Sequence, residues 1–300
     1  SIAPMPRSKA NGIDIEYETV GDQSQPPLLL VMGLGAQLIA WDDDFCRQLA
    51  DQGFFVIRYD NRDVGLSTHF DSAGPGDVAA AMTAAAAGQP VKSPYLLADM
   101  ADDGIGLLDA LDISAAHIVG ASMGGMIVQE MAIRHPDRVL SLCSIMSTTG
   151  SRDVGQPDPV AMTALMAPPP SNAEEAAQGA VNASRIIGAK GFPLDEERIR
   201  QRAIRAYKRA NYPEGFARQL VAIMASPDRT DALGAVKTPT LVIHGDCDTL
   251  VTPGGGRATA EAVPGAELLM IEGMGHDLPE GAWPVVIEAI ASNASKAVSA

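Results

Sequence analysis

Positive charge is what this chain lacks most: 22 lysines and arginines stand against 37 aspartates and glutamates, a formal net charge of −15. Phosphate backbones and anionic membranes reward basic patches, so no nucleic acid and no membrane surface is expected as a partner. Long apolar runs are missing too. No stretch approaches the ~18 residues of a membrane span, and the opening Ser1-Ile2-Ala3-Pro4-Met5-Pro6-Arg7 has no apolar signal core. Cysteine is scarce. Cys46, Cys143 and Cys247 are odd in number and widely spaced, without CxxC or histidine-linked spacing, which excludes a disulfide framework and favours reduced thiols in a cytoplasm. Pro253-Gly254-Gly255-Gly256-Arg257 lacks the lysine-serine ending of a phosphate-binding loop. Asp99, Asp102, Asp103, Asp109 and Asp112 have helical rather than calcium-loop spacing and read as a solvent face. No metal and no cofactor is expected, and the oligomeric state is not fixed by the sequence.

What is present is a chain of 300 residues, 46% hydrophobic, long enough to bury one full α/β core. Residues 13–20 alternate as an edge strand, while 28–31, 54–58, 117–119, 139–145, 240–243 and 267–271 read as strands separated by helical or loop segments. After 139–145 the β/α rhythm stops for roughly eighty residues. Proline-punctuated segments 160–166, 173–187, 195–209 and 214–225 read there as helices, so the expected domains are a core of 1–149 and 231–300 and a helical cap of 150–230. Met162, Leu165 and Met166 are candidates for an apolar ceiling over a site, although packing inside the cap would serve them equally well. The basic run Arg198, Arg200, Arg202, Arg205, Lys208 and Arg209 reads as a solvated face paired with Glu196 and Glu197. Residues 71–94 form an alanine-, glycine- and proline-rich connection with a short helix over 78–87, long enough to border a site. The tail, 292–300, reads as frayed.

The chemistry centres on His117-Ile118-Val119-Gly120-Ala121-Ser122-Met123-Gly124-Gly125. A strand turning sharply into a helix holds the intervening side chain clear of the sheet edge, where a hydroxyl can attack a carbonyl. A glycine-rich packing turn would spell the same letters. The surroundings favour the nucleophile: Leu97, Met100, Ala101, Ile105, Leu108 and Leu111 recur at helical spacing upstream, and an unbroken apolar helix runs downstream to Pro136.

Such a serine needs an imidazole, and the imidazole a carboxylate. Of five histidines, His117 and His244 lie in β-rich runs, His135 ends a helix before Pro136, and His69 follows a loop without an evident partner. His276 follows the strand 267–271 on a Gly273-Met274-Gly275 loop, at the sheet edge where ligands of open parallel sheets sit. For the carboxylate, Gly245-Asp246-Cys247-Asp248 follows the strand 240–243. Asp248 has the G-x-x-D spacing, while Asp246 reads as a turn former bonding its own backbone and Cys247 as a small loop filler. The chain order Ser122, Asp248, His276 differs from those of chymotrypsin and subtilisin. Backbone N–H groups of Leu34, after the apolar strand 27–31, and of Met123 are candidates for the oxyanion hole.

Together these residues resemble the α/β-hydrolase superfamily over nearly the whole chain apart from 150–230. The resemblance implies a mostly parallel central sheet flanked by helices, with a helical cap inserted after the sixth strand. Arg58-Tyr59-Asp60-Asn61-Arg62-Asp63-Val64-Gly65-Leu66-Ser67 is similar to the R-x-D-x-R-G-x-G-x-S loop of the esterase, haloperoxidase and C–C hydrolase branches, with Asp63 where glycine is usual and Met32 where an H-G pair would put histidine. The combination looks most like the aclacinomycin methylesterase group, which implies an esterase acting on a small-molecule ester, a bulky methyl ester. Serine at 122 excludes relatives that attack halides or epoxides with an aspartate. The remaining rivals are a C–C bond hydrolase or cofactor-free perhydrolase with the same three groups, and a ligand-binding homologue without turnover.

Overall fold

The computed structural model describes residues 2–298. The first half runs β1 (Ile2–Ala10), β2 (Ile13–Val20), β3 (Pro27–Val31), α1 (Asp43–Asp51), β4 (Phe55–Tyr59), α2 (Val78–Ala86), α3 (Leu97–Ala110), β5 (Ala116–Ala121), α4 (Met123–Arg134) and β6 (Val139–Ile145). Five helices follow: α5 (Pro159–Leu165), α6 (Ala173–Ile187), α7 (Glu196–Arg209), α8 (Pro213–Ala225) and the short α9 (Thr230–Leu233). The chain ends on β7 (Thr240–Gly245), α10 (Gly254–Ala262), β8 (Glu267–Ile271) and α11 (Trp283–Val298).

The eight strands form one sheet in the order β1-β2-β4-β3-β5-β6-β7-β8, parallel from β4 to β8, with β1 and β2 antiparallel at one side. The continuous apolar run Leu28-Leu29-Leu30-Val31 is explained by burial on both sheet faces, since successive side chains alternate. Leu29 and Val31 join the cluster of α3 and α4 with Met100, Leu108 and Ile127, while Leu28 and Leu30 join that of α1 and α11 with Phe45, Leu49 and Val286.

Two expectations are corrected here. Residues 13–20 are not the edge, because β1 pairs outside them with a register shift between Met5 and Ser8. Pro4 and Pro6, which lack an N–H, hid that strand from pattern reading but are tolerated at an edge or bulge. The tail is not frayed over its length, since α11 continues to Val298 and Asn293 donates from a buried amide to Leu142 O (3.1 Å). Residues 299–300 lie outside the described ones.

The loop after β4 explains the departure at residue 63. Asp63 adopts the left-handed backbone that favours glycine, φ 68°. Its buried carboxylate accepts from Arg218 Nε (2.9 Å) and Nη2 (3.1 Å), Tyr95 Oη (2.5 Å) and Phe70 N (2.8 Å), which ties the loop to α8.

Candidate active site

Ser122 occupies the turn from β5 into α4 with φ 57° and ψ −121°, a strained conformation for a residue with a side chain. The turn closes because two glycines let backbones touch: a Cβ at Gly120 would lie 2.0 Å from Gly124 O, and one at Gly124 2.0 Å from Val31 O. Ser122 N donates to Ile145 O (2.9 Å), and Ser122 O accepts from Ser147 Oγ (2.8 Å), so the turn is pinned from β6.

The structure brings Ser122, Asp248 and His276 together. His276 Nε2 lies 3.0 Å from Ser122 Oγ, and His276 Nδ1 lies 2.8 Å from Asp248 Oδ2. The other oxygen of the buried Asp248 accepts from Leu250 N and Val251 N, both at 2.9 Å. A carboxylate accepts only, so the proton between Asp248 and the ring sits on Nδ1, and Nε2 is left to accept from the serine hydroxyl.

The loop after β3 meets the same turn. A Cβ at Gly33 would lie 3.2 Å from Ser122 Cβ and 3.6 Å from Met123 N, so Leu34 and Met123 come from segments in contact. Neither amide takes a protein acceptor among the described residues. Leu34, Met123, Ser122 and His276 line one cavity of about 1700 Å³, walled otherwise by Met32, Met126, Met146, Phe216 and Ile223. Met162 and Leu165 lie in this wall as well; Met166 does not, because α5 ends at Leu165 and its capping residue is 43% exposed. Sequence reasoning left the cavity side of α2 and α8 unspecified, since Met82, Phe216 and Ile223 become recognisable only once the helices are placed.

The His276 loop is bonded to the α6–α7 connection. His276 N donates to Ile187 O (2.7 Å), Lys190 N and Gly191 N to Gly273 O (2.9 Å each), and Ala189 N to Asp277 Oδ2 (2.9 Å).

Several neighbouring side chains do something other than expected. Asp246 Oδ1 accepts from Gly273 N (2.7 Å), bracing the histidine loop rather than its own turn. Asp103 is buried against Arg62 (2.6 and 2.7 Å), not solvated. His69 packs 3.7 Å from the Tyr212 ring, with Nε2 2.9 Å from Gly65 O. The arginines of α7 reach across to other segments: Arg198 to Asp42 (2.6 Å), Arg205 to Asp43 (3.0 Å) and Arg209 to Asp60 (2.8 Å). Periodicity locates a charged face but not its partners, and here Asp42-Asp43-Asp44 was the unused signal. His117 and His244 are buried in β5 and β7, where desolvation lowers their pKa and keeps them neutral. Each has a local partner, Ser141 Oγ (2.7 Å) and Val251 O (2.7 Å).

A sheet with a strained serine turn beside an imidazole and a carboxylate defines a hydrolase fold class. The alpha/beta hydrolase fold family matches residues 26–281, and the chain belongs to it. The rhodomycin D methylesterase DauP of Streptomyces sp. (strain C5) is 32% identical over 87% of this chain and 88% of its own length. DnrP of Streptomyces peucetius, also a rhodomycin D methylesterase, is 31% identical over the same shares. The enol-lactonase from Burkholderia xenovorans LB400 superposes with a TM-score of 0.70 at 24% identity, covering 98% of this chain and 100% of that one, a likeness of fold alone.

Proposed function

We propose that the protein is a cofactor-independent serine esterase whose nucleophile, base and orienting carboxylate are Ser122, His276 and Asp248. The observation that carries this reading is the continuous hydrogen-bonded line from Ser122 Oγ through His276 to Asp248, at 3.0 and 2.8 Å. His276 takes the proton as Ser122 attacks the ester carbonyl, and Asp248 stabilises the imidazolium. The amides of Leu34 and Met123 receive the developing oxyanion, where one such donor is worth ~2.7–4 kcal/mol. His276 then protonates the leaving alcohol, and water activated by the same ring releases the acid.

Residues 150–230 serve in this reading as a cap over the core of 1–149 and 231–300, with Met162 and Leu165 as part of its apolar ceiling. A cavity of about 1700 Å³ suits a bulky acid. Relatives named rhodomycin D methylesterases support a methyl ester as the bond cleaved. The free thiols of Cys46, Cys143 and Cys247 suit a reducing compartment such as the cytoplasm. An active-site phosphonate followed by mass spectrometry tests the reading: the adduct is expected on Ser122, and its absence under conditions that label a control esterase would favour a non-catalytic binder. A panel of aryl and methyl esters run beside a vinylogous diketone separates ester from C–C hydrolysis.

A further inference from the structure

Arg198, Arg202, Arg205 and Arg209 follow one another at intervals of four, three and four residues, a stripe along one face of α7. Three of them have found carboxylates in other segments: Arg198 binds Asp42 and Asp44, Arg205 binds Asp43, and Arg209 binds Asp60. Arg202 has no hydrogen bond or ion pair among the described residues. It faces the cavity that holds Ser122 and His276. The other three arginines in that wall are all engaged, Arg152 by Ala85 O, Arg198 by Asp42, and Arg229 by Gln129 Oε1 (3.0 Å) and Thr148 O (2.9 Å).

Arg202 is exposed rather than enclosed, so its guanidinium is open to a ligand; Asp42, Asp277 and Arg198 are the charges near enough to act on it. A guanidinium in the cavity wall that no protein carboxylate pairs with is free to pair with an anionic ligand. Its planar fork matches the two oxygens of a carboxylate and also accepts a single oxyanion. Asp277 directly follows His276, so the charge that senses it is close to the histidine end of the cavity.

We propose that Arg202 anchors an oxyanion of the substrate, a carboxylate or an ionised phenol or enol, at a position separate from the ester being cleaved. The proposal rests on the esterase reading of the cavity and makes Arg202 a specificity residue.

Calorimetric binding to the Ser122→Ala protein tests it without turnover. The ligands are monomethyl isophthalate, methyl 4-hydroxy-3-nitrobenzoate with its phenol ionised, and neutral dimethyl isophthalate. At least one charged ester is expected to bind about tenfold or more tightly than the neutral one, and which one does so identifies the carboxylate or the phenolate as the preferred oxyanion. Adding Arg202→Gln should bring the ratio close to one, Arg202→Lys should restore part of it, and Arg200→Gln, which breaks only the pair with Glu174, should keep it. Equal affinity for all three esters, no binding of any, or a preference that survives Arg202→Gln overturns the proposal. Phosphonate labelling of unsubstituted protein judges the esterase reading separately, so the two can fail independently.

Discussion

Ser122 and Asp248 follow β5 and β7, in which every residue is buried, whereas α7 on the other side of the cavity buries none. The first wall is held by backbone pairing and apolar packing, which salt and pH scarcely touch. The second is tied down by Arg198 and Arg205 on partly exposed carboxylates, contacts that are screened and titrate, and by Arg209 on the buried Asp60. Helix α8 stands between the two cases, since its Arg218 is charged but buried with Asp63. Placement of Ser122 and Asp248 and placement of the helices across the cavity are therefore under separate physical control.

The sharpest test of that separation is Ser122→Ala, which should lower kcat by about 10⁴-fold or more with an unchanged melting temperature; a matching loss of stability would mean that the serine also supports the fold. Next in size is Asp63→Gly. Glycine relieves the positive φ but leaves Arg218 buried without its carboxylate, so urea denaturation should show a loss of ~3–5 kcal/mol, while a neutral outcome would move α8 into the same class as α7. Arg198→Ala should cost no more than about 1 kcal/mol. In the unsubstituted protein, added salt should speed amide exchange in α7 and leave β5 unaffected.

The smallest effect expected is on pH. The hydrogen bond from Arg198 holds the Asp44 carboxyl below its ordinary value. A folded-state pKa that is depressed contributes stability above the unfolded value of ~3.9 and loses it as pH falls through the folded value. Arg198 also lies 5.2 Å over the Trp283 ring, so tryptophan emission should change below about pH 4 and change less in Asp44→Asn.

Much of this was legible in the residues. The strands of the parallel core declared themselves through doubly buried apolar runs, and α6 occupies the segment 173–187 read from its periodicity. The approach of Ser122, Asp248 and His276 follows from three strand-exit loops on one sheet edge, which chain order alone exposes. Partner choice was not legible. Asp103 and Asp99 share a helix and a residue type, yet Asp103 meets Arg62 in the interior while Asp99 accepts from Leu96 N at the helix start. That difference is set by what lies 41 residues upstream, and no local period encodes it. The left-handed turn at Asp63 was likewise hidden, because aspartate there conceals a demand that glycine would have announced.

The stitches between the α6–α7 connection and the histidine loop bear on protein engineering. Transplanting a foreign helical segment at the boundaries 150 and 230 would replace Ile187, Ala189, Lys190 and Gly191, and with them the acceptor of His276 N and three donors to its loop. A chimera that keeps 187–191 with the recipient's own 273–277 preserves the placement of the His276 loop, and a swap that ignores this seam leaves that loop without its partners.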